Sequence, residues 1–416
     1  LEISGMNVSG MPAALAAATI CAVWAQPAWA AKEAVLYAFT AGHDGGFPQG
    51  GVIADAQGNF YGTTTSDGAD HNGVVYELSP ASGGGYTQST LYTFTGGNDG
   101  GVPQAGLVGD AKGNLYGTTY SGGSAGAGVV FELSPPKKGG TAWTEKVLWT
   151  FTGGNDGGEP TCALILDKAG NLYGTTDEGG TGVVGTVFEL SPTPGKKTWT
   201  ETVLYNFTGN SDGGEPYGRM LFGSDGNLYG TTAGYGEDNY GTIFKLTAPS
   251  GSGSWTFSVL HAFAGGVDGE VPRDGLIQGP DGTLYGDTAG FDDSYGNVFS
   301  LQTDGSAYTV LYTVPGTQGF TGNGPWQTVS MDSSGNLYGA TLADGKSANG
   351  EVFELSPPSA DKTKWKAKVL YAFKGDAKGE IAYTTVLVGS DGLYGTTYGA
   401  AGESGFYPGT IWRIAR

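Results

Sequence analysis

Carboxylates are the residues of this chain best equipped for chemistry, and they form a repeating set and a non-repeating one. The repeating set is Asp44, Asp99, Asp156, Asp212 and Asp268, each followed by glycine, with Asp376 in the corresponding stretch. Two chemistries fit it. An Asp-Gly pair makes a tight turn, the carboxylate capping backbone N–H groups while glycine takes positive φ. Six carboxylates gathered at one opening would instead hold a hard cation such as Ca²⁺, which prefers clustered oxygen ligands. The non-repeating set comprises Asp67, Asp70 and His71; Asp177 and Glu178; Tyr235, Glu237, Asp238 and Tyr240; and Phe291, Asp292, Asp293 and Tyr295. Tyrosines beside acids suit a sugar, with the ring stacked on a pyranose face and the carboxylate accepting from hydroxyls. Paired carboxylates would also cleave a glycosidic bond, with an outcome set by their separation. Solvated acidic loops are the competing reading.

Other chemistries find less support. The histidines are His43, His71 and His261. His43 and His71 would have to meet across two loops to act as a metal or acid–base pair, and exposed loop positions suit them better. His261 falls in a segment that reads as packing. No Ser-His-Asp arrangement can be argued from a local motif. Gly345-Lys346-Ser347 resembles the end of a phosphate loop, but Ala340 stands where the first glycine is required. Cys162 is the only cysteine beyond Cys21, so no disulfide is expected within residues 31–416, and a small buried side chain is.

The bulk composition sets the class. With 416 residues, 78 of them glycine, 12% aromatic and only 14% charged, the chain is too apolar and too ring-rich for disorder. The net charge of −20 repels phosphate backbones, so nucleic acid is not an expected partner. Residues 1–30 differ from the rest. Met11–Ala30 is apolar and ends Ala28-Trp29-Ala30, a signal-peptidase pattern, although Leu1–Gly10 carries no Lys or Arg. A cleaved leader and a secreted or periplasmic protein are expected, with no transmembrane segment in residues 31–416.

The elements that must position these residues come from a repeat. The phrase Gly-Asn-Leu-Tyr-Gly-Thr-Thr, or a close variant, places tyrosines at 61, 116, 173, 229, 285, 338 and 394, spaced 53 to 57 residues apart. Each period holds four strand-length segments bounded by Gly, Pro, Asn or Asp. Strand A is the segment before an Asp (51–55, 106–110 and 163–167 in the first three), strand B is LYGTT, strand C is VFEL and strand D is VLYxF. Four short strands per period are a propeller blade, and seven make a closed ring. The expected fold is therefore an all-β, seven-bladed β-propeller of four antiparallel strands per blade over residues 31–416. The ends agree: residues 34–39 (AVLYAF) match strand D, while the last period stops at strand C (TIWRI). The N-terminal strand should close the last blade, an open solenoid being the alternative. Phe131, Phe188, Phe244, Phe299 and Phe353 on strand C, Tyr92, Tyr205 and Tyr371 on strand D, and Trp143, Trp199, Trp255 and Trp365 at its start recur as blade-to-blade contacts would. The Asp after strand A (Asp55, Asp110, Asp167, Asp225, Asp281, Asp332 and Asp391) reads as opening the A–B turn. Blade 6 lengthens its incoming loop, and Ile381 in blade 7 is read at the position of the usual proline.

The LYGTT phrases, glycine-rich B–C loops and VFELSP segments over 34–416 resemble the GloVer-type tandem repeat of bacterial secreted proteins, also called choice-of-anchor. That resemblance implies an extracytoplasmic protein, surface-anchored in some members, without an established activity. The expected function is a non-catalytic binding or structural module that recognises a glycan or another protein through its D–A and B–C loop face. The alternatives are a hydrolase or lyase using loop carboxylates and a self-assembling surface or filament subunit. Asp70, His71, Asp177, Glu178, Tyr235, Asp238, Tyr240, Asp292, Asp293 and Tyr295 are the candidate ligand-binding residues. Asp44, Asp99, Asp156, Asp212, Asp268 and Asp376 are the candidate Ca²⁺ ligands.

Overall fold

A computed structural model describes residues 33–251, 253–290, 296–314, 325, 327–342, 349–359, 364–374, 381–382, 384–399, 401–402, 405–406 and 408–416. The leader, Asp376, Phe291, Asp292, Asp293 and Tyr295 lie outside them. Among the described residues the strands form seven four-stranded sheets and one small two-stranded hairpin, with a single 3₁₀ turn at Gly266–Asp268. Each blade runs A-B-C-D in hydrogen-bonded order. In blade 2 these strands are Val108–Gly109, Leu115–Thr119, Val129–Ser134 and Thr144–Thr150, every neighbour antiparallel.

The seventh blade closes the ring. Glu33–Ala38 pairs antiparallel with Thr410–Ala415, Ala34 opposite Arg413, and so supplies strand D to a sheet whose other strands come from the C-terminal repeat. Closure removes the sheet edges an open array would expose.

The repeated phrase has a packing cause. The glycine of each LYGTT lies directly opposite the ring of strand C, as Gly117 lies opposite Phe131. A Cβ at Gly117, Gly174 or Gly230 would stand 2.6, 2.7 or 2.5 Å from the ring tip of Phe131, Phe188 or Phe244. Glycine there lets the ring lie flat across the central strand. Each of these three rings is then met edge-on by a phenylalanine from the end of the preceding blade. Phe94 meets Phe131 at 5.1 Å, Phe151 meets Phe188 at 5.2 Å and Phe207 meets Phe244 at 5.2 Å. Tyr76 and Trp412 replace Phe on strand C in blades 1 and 7, and Phe39 on Tyr76 at 5.2 Å carries the contact across the closure. The tryptophans opening strand D add a second layer, Trp143 on Tyr61 and Trp199 on Tyr116 of the blade before.

Three details differ from the sequence reading. Strand A is paired over two residues per blade (Ile53–Ala54, Val108–Gly109, Ile165–Leu166) rather than five, because the residues ahead of it pack on the neighbouring blade. The second-to-last Thr of strand B joins the blades there: Thr63 Oγ1 donates to Ala105 O, Thr118 Oγ1 to Cys162 O and Thr396 Oγ1 to Gly50 O. Strand D also carries a bulge at one place in every blade, Leu91 and Leu148 being the extra residues in blades 1 and 2. Finally, Ile381 does not occupy the proline position. It matches Phe47, Val102, Glu159, Glu215 and Val271, all at φ between +53° and +58°, and Ala382 takes the proline's place. This left-handed residue is held by two hydrogen bonds: Ile381 N donates to Asn349 O, and Tyr398 N donates to Ile381 O.

Candidate functional site

Among the described residues, the side chains of the loop aspartates Asp44, Asp99, Asp156, Asp212 and Asp268 each bond only within their own loop and the strand D that leads into it. Asp99 accepts from Thr95 N and Thr95 Oγ1 and, at 3.0 Å, from the Tyr92 hydroxyl of strand D. Asp44 and Asp212 do the same with Tyr37 and Tyr205, and His261 Nε2 replaces the tyrosine at 3.1 Å from Asp268. In blade 2 the strand-D residue is Trp149, and Asp156 keeps its contacts with Thr152. Despite partial burial, these hydrogen bonds hold Asp44, Asp99 and Asp212 below the ordinary carboxylate range. No group of three His, Cys, Asp or Glu side chains among the described residues is arranged to hold a metal.

The A–B turn aspartates are turn formers too. Asp110 Oδ1 accepts from Lys112 N and Asn114 N, and Oδ2 from Asn114 Nδ2 and Tyr116. Asp225 reaches Asn227 and Tyr229 from a position two residues later, with Gly223 where Asp110 stands.

Of the loop candidates, Asp70 and His71 are exposed on blade 1, His71 beside Asp67 at 3.6 Å. His43 is exposed as well, and His261 stacks on Tyr308 with ring centres 3.9 Å apart. In blade 4, Asp238 is exposed, and Tyr235 and Tyr240 each lay a ring against glycines of the adjoining D–A loop, Gly214 and Gly265. Asp177 differs from all of these. It is 9% exposed, and its Oδ1 is buried without a hydrogen-bond partner. Tyr217, Glu215, Glu178 and Glu159 are the groups that act on its charge. Burial, opposed by Tyr217 and reinforced by those three acids, pushes Asp177 up to about 7. Glu159 beside Tyr120, together with burial, pushes that phenol up to about 12.

Tyr217 leads from this acidic shelf to the axis. All seven blades contribute to an axial cavity of about 570 Å³. Blades 1 to 3 line it with small residues, Gly50, Gly51, Ala105, Gly106 and Ala163, which leave the space open. Blades 4 and 5 present Tyr217, Arg219, Arg273 and Asp274, and Gln49, Gln104, Gln278 and Gln327 add amides. The Arg273 guanidinium sits 5.3 Å above the Tyr217 ring. Asp274 is fixed by four bonds from four blades: it accepts from Arg219 N, Gly275 N, Thr328 N and Thr385 Oγ1. Cys162 also borders the cavity, buried and unbridged.

Sequence reasoning passed over Tyr217, Arg219, Arg273 and Asp274 because they lie in the segment read as the approach to strand A. The signal was available as a departure from the repeat. Where blades 1 and 2 read Pro-Gln-Gly-Gly and Pro-Gln-Ala-Gly, blades 4 and 5 read Pro-Tyr-Gly-Arg and Pro-Arg-Asp-Gly.

Among solved structures, the chain resembles a puromycin-hydrolysing peptidase of Mycobacterium tuberculosis at TM-score 0.55 and 11% identity, over 91% of this chain and 53% of that one. It also resembles a polysaccharide lyase, an ulvan lyase solved bound to -[GlcA(1-4)Rha3S]-, at TM-score 0.51 and 10% identity, over 89% of this chain and 95% of that one. At such identities the likeness is one of fold. No curated protein matches the sequence. The family model for the Gloeobacter/Verrucomicrobia repeat matches residues 25–198, 139–299 and 223–416, and the chain belongs to that family.

Proposed function

We propose that this protein is an extracytoplasmic binding propeller whose axial cavity takes an acidic carbohydrate, a short saccharide bearing carboxylate or sulfate groups. One observation carries the reading. The chain has four arginines against a net charge of −20, and two of them, Arg219 and Arg273, line the same cavity. Arginine pairs with carboxylate or sulfate through a planar fork, and such bonds strengthen where water is excluded. The amides and Tyr217 beside them supply the hydrogen bonds that sugar hydroxyls need. The volume falls in the range of small-molecule sites, about 300–1,000 Å³. The acidic exterior opposes this only weakly at physiological salt, where charges beyond about 8 Å are screened. The apolar stretch 11–30 with its Ala-Trp-Ala ending supports export.

Calorimetry with oligomers of galacturonate and glucuronate, against neutral glucose oligomers, tests the reading. Acidic saccharides should bind and neutral ones should not. R219A or R273A should weaken binding about tenfold or more, in line with about 1.5–3 kcal/mol for a charged hydrogen bond. Equal binding of neutral sugars, or unchanged affinity in both variants, defeats it. Release of reducing ends on incubation would move the protein into the hydrolase or lyase class.

A further inference from the structure

One hydrogen-bonded frame recurs at the D–A end of six blades. The left-handed residue of the D–A loop (Phe47, Val102, Glu159, Glu215, Val271 or Ile381) accepts from the backbone N–H of the residue just after strand B (Thr65, Tyr120, Asp177, Ala233, Ala289 or Tyr398). Four blades build this frame with Phe, Val, Val and Ile, so nothing in it calls for an acid. Blades 3 and 4 nevertheless place Glu159 and Glu215 there, and blade 3 adds Asp177 at the partner position. The three belong to one patch. Asp177 N donates to Glu159 O, and a Cβ at Gly185 would stand 3.1 Å from Asp177 O and 2.7 Å from the ring of Pro216, the neighbour of Glu215. Glu159 and Glu215 each lie two residues ahead of a residue that lines the axial cavity, Thr161 and Tyr217. The acidic shelf therefore stands at the D–A end of the cavity that holds Arg219 and Arg273.

The shelf is short of positive charge and of hydrogen-bond donors. Among the described residues no Lys, Arg or His forms an ion pair with Glu159, Asp177 or Glu215. Asp177 is 9% exposed, and its Oδ1 is buried without a hydrogen-bond partner, a costly state inside a protein. Burial and the neighbouring acids push Asp177 up to about 7, a cost that a cationic group beside them would relieve. The carboxylates are not arranged as a metal cage. An ammonium group makes no such demand, because it spreads three N–H donors over separate oxygens. We propose that this shelf binds an ammonium group of the ligand whose anionic groups meet Arg219 and Arg273, so that the ligand is an acidic saccharide carrying a free amine. Glu159 and Glu215, both half-buried, are the contact groups, and Asp177 adds its charge from deeper in the shelf. The inference rests on the reading of the cavity as an acidic-carbohydrate site and narrows it.

Calorimetry on the whole protein, at about pH 6.5 and so below the range of an amine, tests it with two forms of one molecule. The first is a tetrasaccharide alternating glucuronate with N-acetylglucosamine, and the second is the same tetrasaccharide with its acetyl groups removed. The carboxylates are identical and only the ammonium groups differ. The deacetylated form should bind wild type about tenfold more tightly or better. E159Q/E215Q should lose that preference, as should E159V/E215V, which carries the residue that blades 2 and 5 use at this position. Equal affinity for the two forms in wild type, or a preference that survives in both variants, overturns the proposal. If neither form binds, the reading of the cavity fails instead, and glucosamine then probes the shelf alone. Glucosamine should raise the Tm of wild type above its value in the same concentration of N-acetylglucosamine, and should lose that advantage in E159Q/E215Q. The same Tm with either sugar overturns the shelf as an ammonium site.

Discussion

Asp287 occupies the strand B position that is Thr63, Thr118, Thr175, Thr231 and Thr396 in five other blades and Ala340 in blade 6. The threonines donate to a carbonyl of the next blade, whereas Asp287 Oδ2 accepts from Val329 N at 3.1 Å. It is fully buried, and burial, with Asp274 nearby, raises its pKa well above the carboxylate range. The folded chain therefore holds a proton there that the unfolded chain releases near pH 4. Its contribution to stability is complete below about pH 4 and declines as pH rises, by up to about 1.4 kcal/mol per unit. D287N keeps the acceptor and cannot ionise, so its stability relative to wild type should grow from pH 4 to pH 8 in thermal melts. Glu145 and Glu201, pushed up to about 7 mainly by burial, act in the same direction in both proteins and cancel in the difference. A difference independent of pH would mean that Asp287 is ionised in the fold. Asp287 and the cavity residues share one lesson. In a tandem repeat, recurring residues build the scaffold and single departures mark the chemistry. Asp177 and Glu178 stood out in the sequence as acids in a variable loop. Arg219 and Arg273 did not, because their shared place on the cavity wall appears only when seven segments meet on an axis.

At the scale of the strand, the glycine and ring opposite each other on strands B and C act as one unit. Phe188 is fully buried against Phe151, Leu164 and Gly174, so F188A should cost about 3–5 kcal/mol. G174A places a methyl 2.7 Å from the Phe188 ring tip, and overpacking of that kind costs about 1–3 kcal/mol. The double variant should lose less than the sum, since the added methyl enters space the ring has vacated. Urea unfolding of the four proteins measures this, and strict additivity would show that the glycine is there for another reason. The four strands of each blade were legible because short apolar segments alternate with turn residues at one period. The strand D bulge was not: an extra Leu between two well-patterned halves leaves no mark in composition, and pairing partners alone reveal it. The brevity of strand A escaped for a related reason. Apolar residues ahead of it look like strand but are buried by the neighbouring blade.

At the scale of the molecule, the ring depends on two distant stretches of sequence sharing a sheet. Closure was legible from the ends alone, because a surplus strand D at the start and a missing one at the finish have a single economical pairing. Glu33–Ala38 lies against Thr410–Ala415, and the adjoining Phe39 passes into the core shared by blades 7 and 1 with Val52, Tyr76 and Ile411. Removing residues 31–39 would expose the backbone donors and acceptors of 410–415 as a free edge and strip a buried ring from that shared core. The shortened protein should melt at lower temperature and self-associate, one copy's exposed strand pairing with another's, as light scattering would report. A peptide of sequence Glu-Ala-Val-Leu-Tyr-Ala-Phe, added in excess, should restore the monomer and raise the melting temperature, because it binds only the folded state. A peptide with Tyr37 and Phe39 replaced by alanine keeps the backbone pairing but not the rings, and should rescue far less. If the shortened chain stays monomeric with an unchanged melting temperature, residues 33–39 do not close the ring, and an axial cavity shared by seven blades loses its basis.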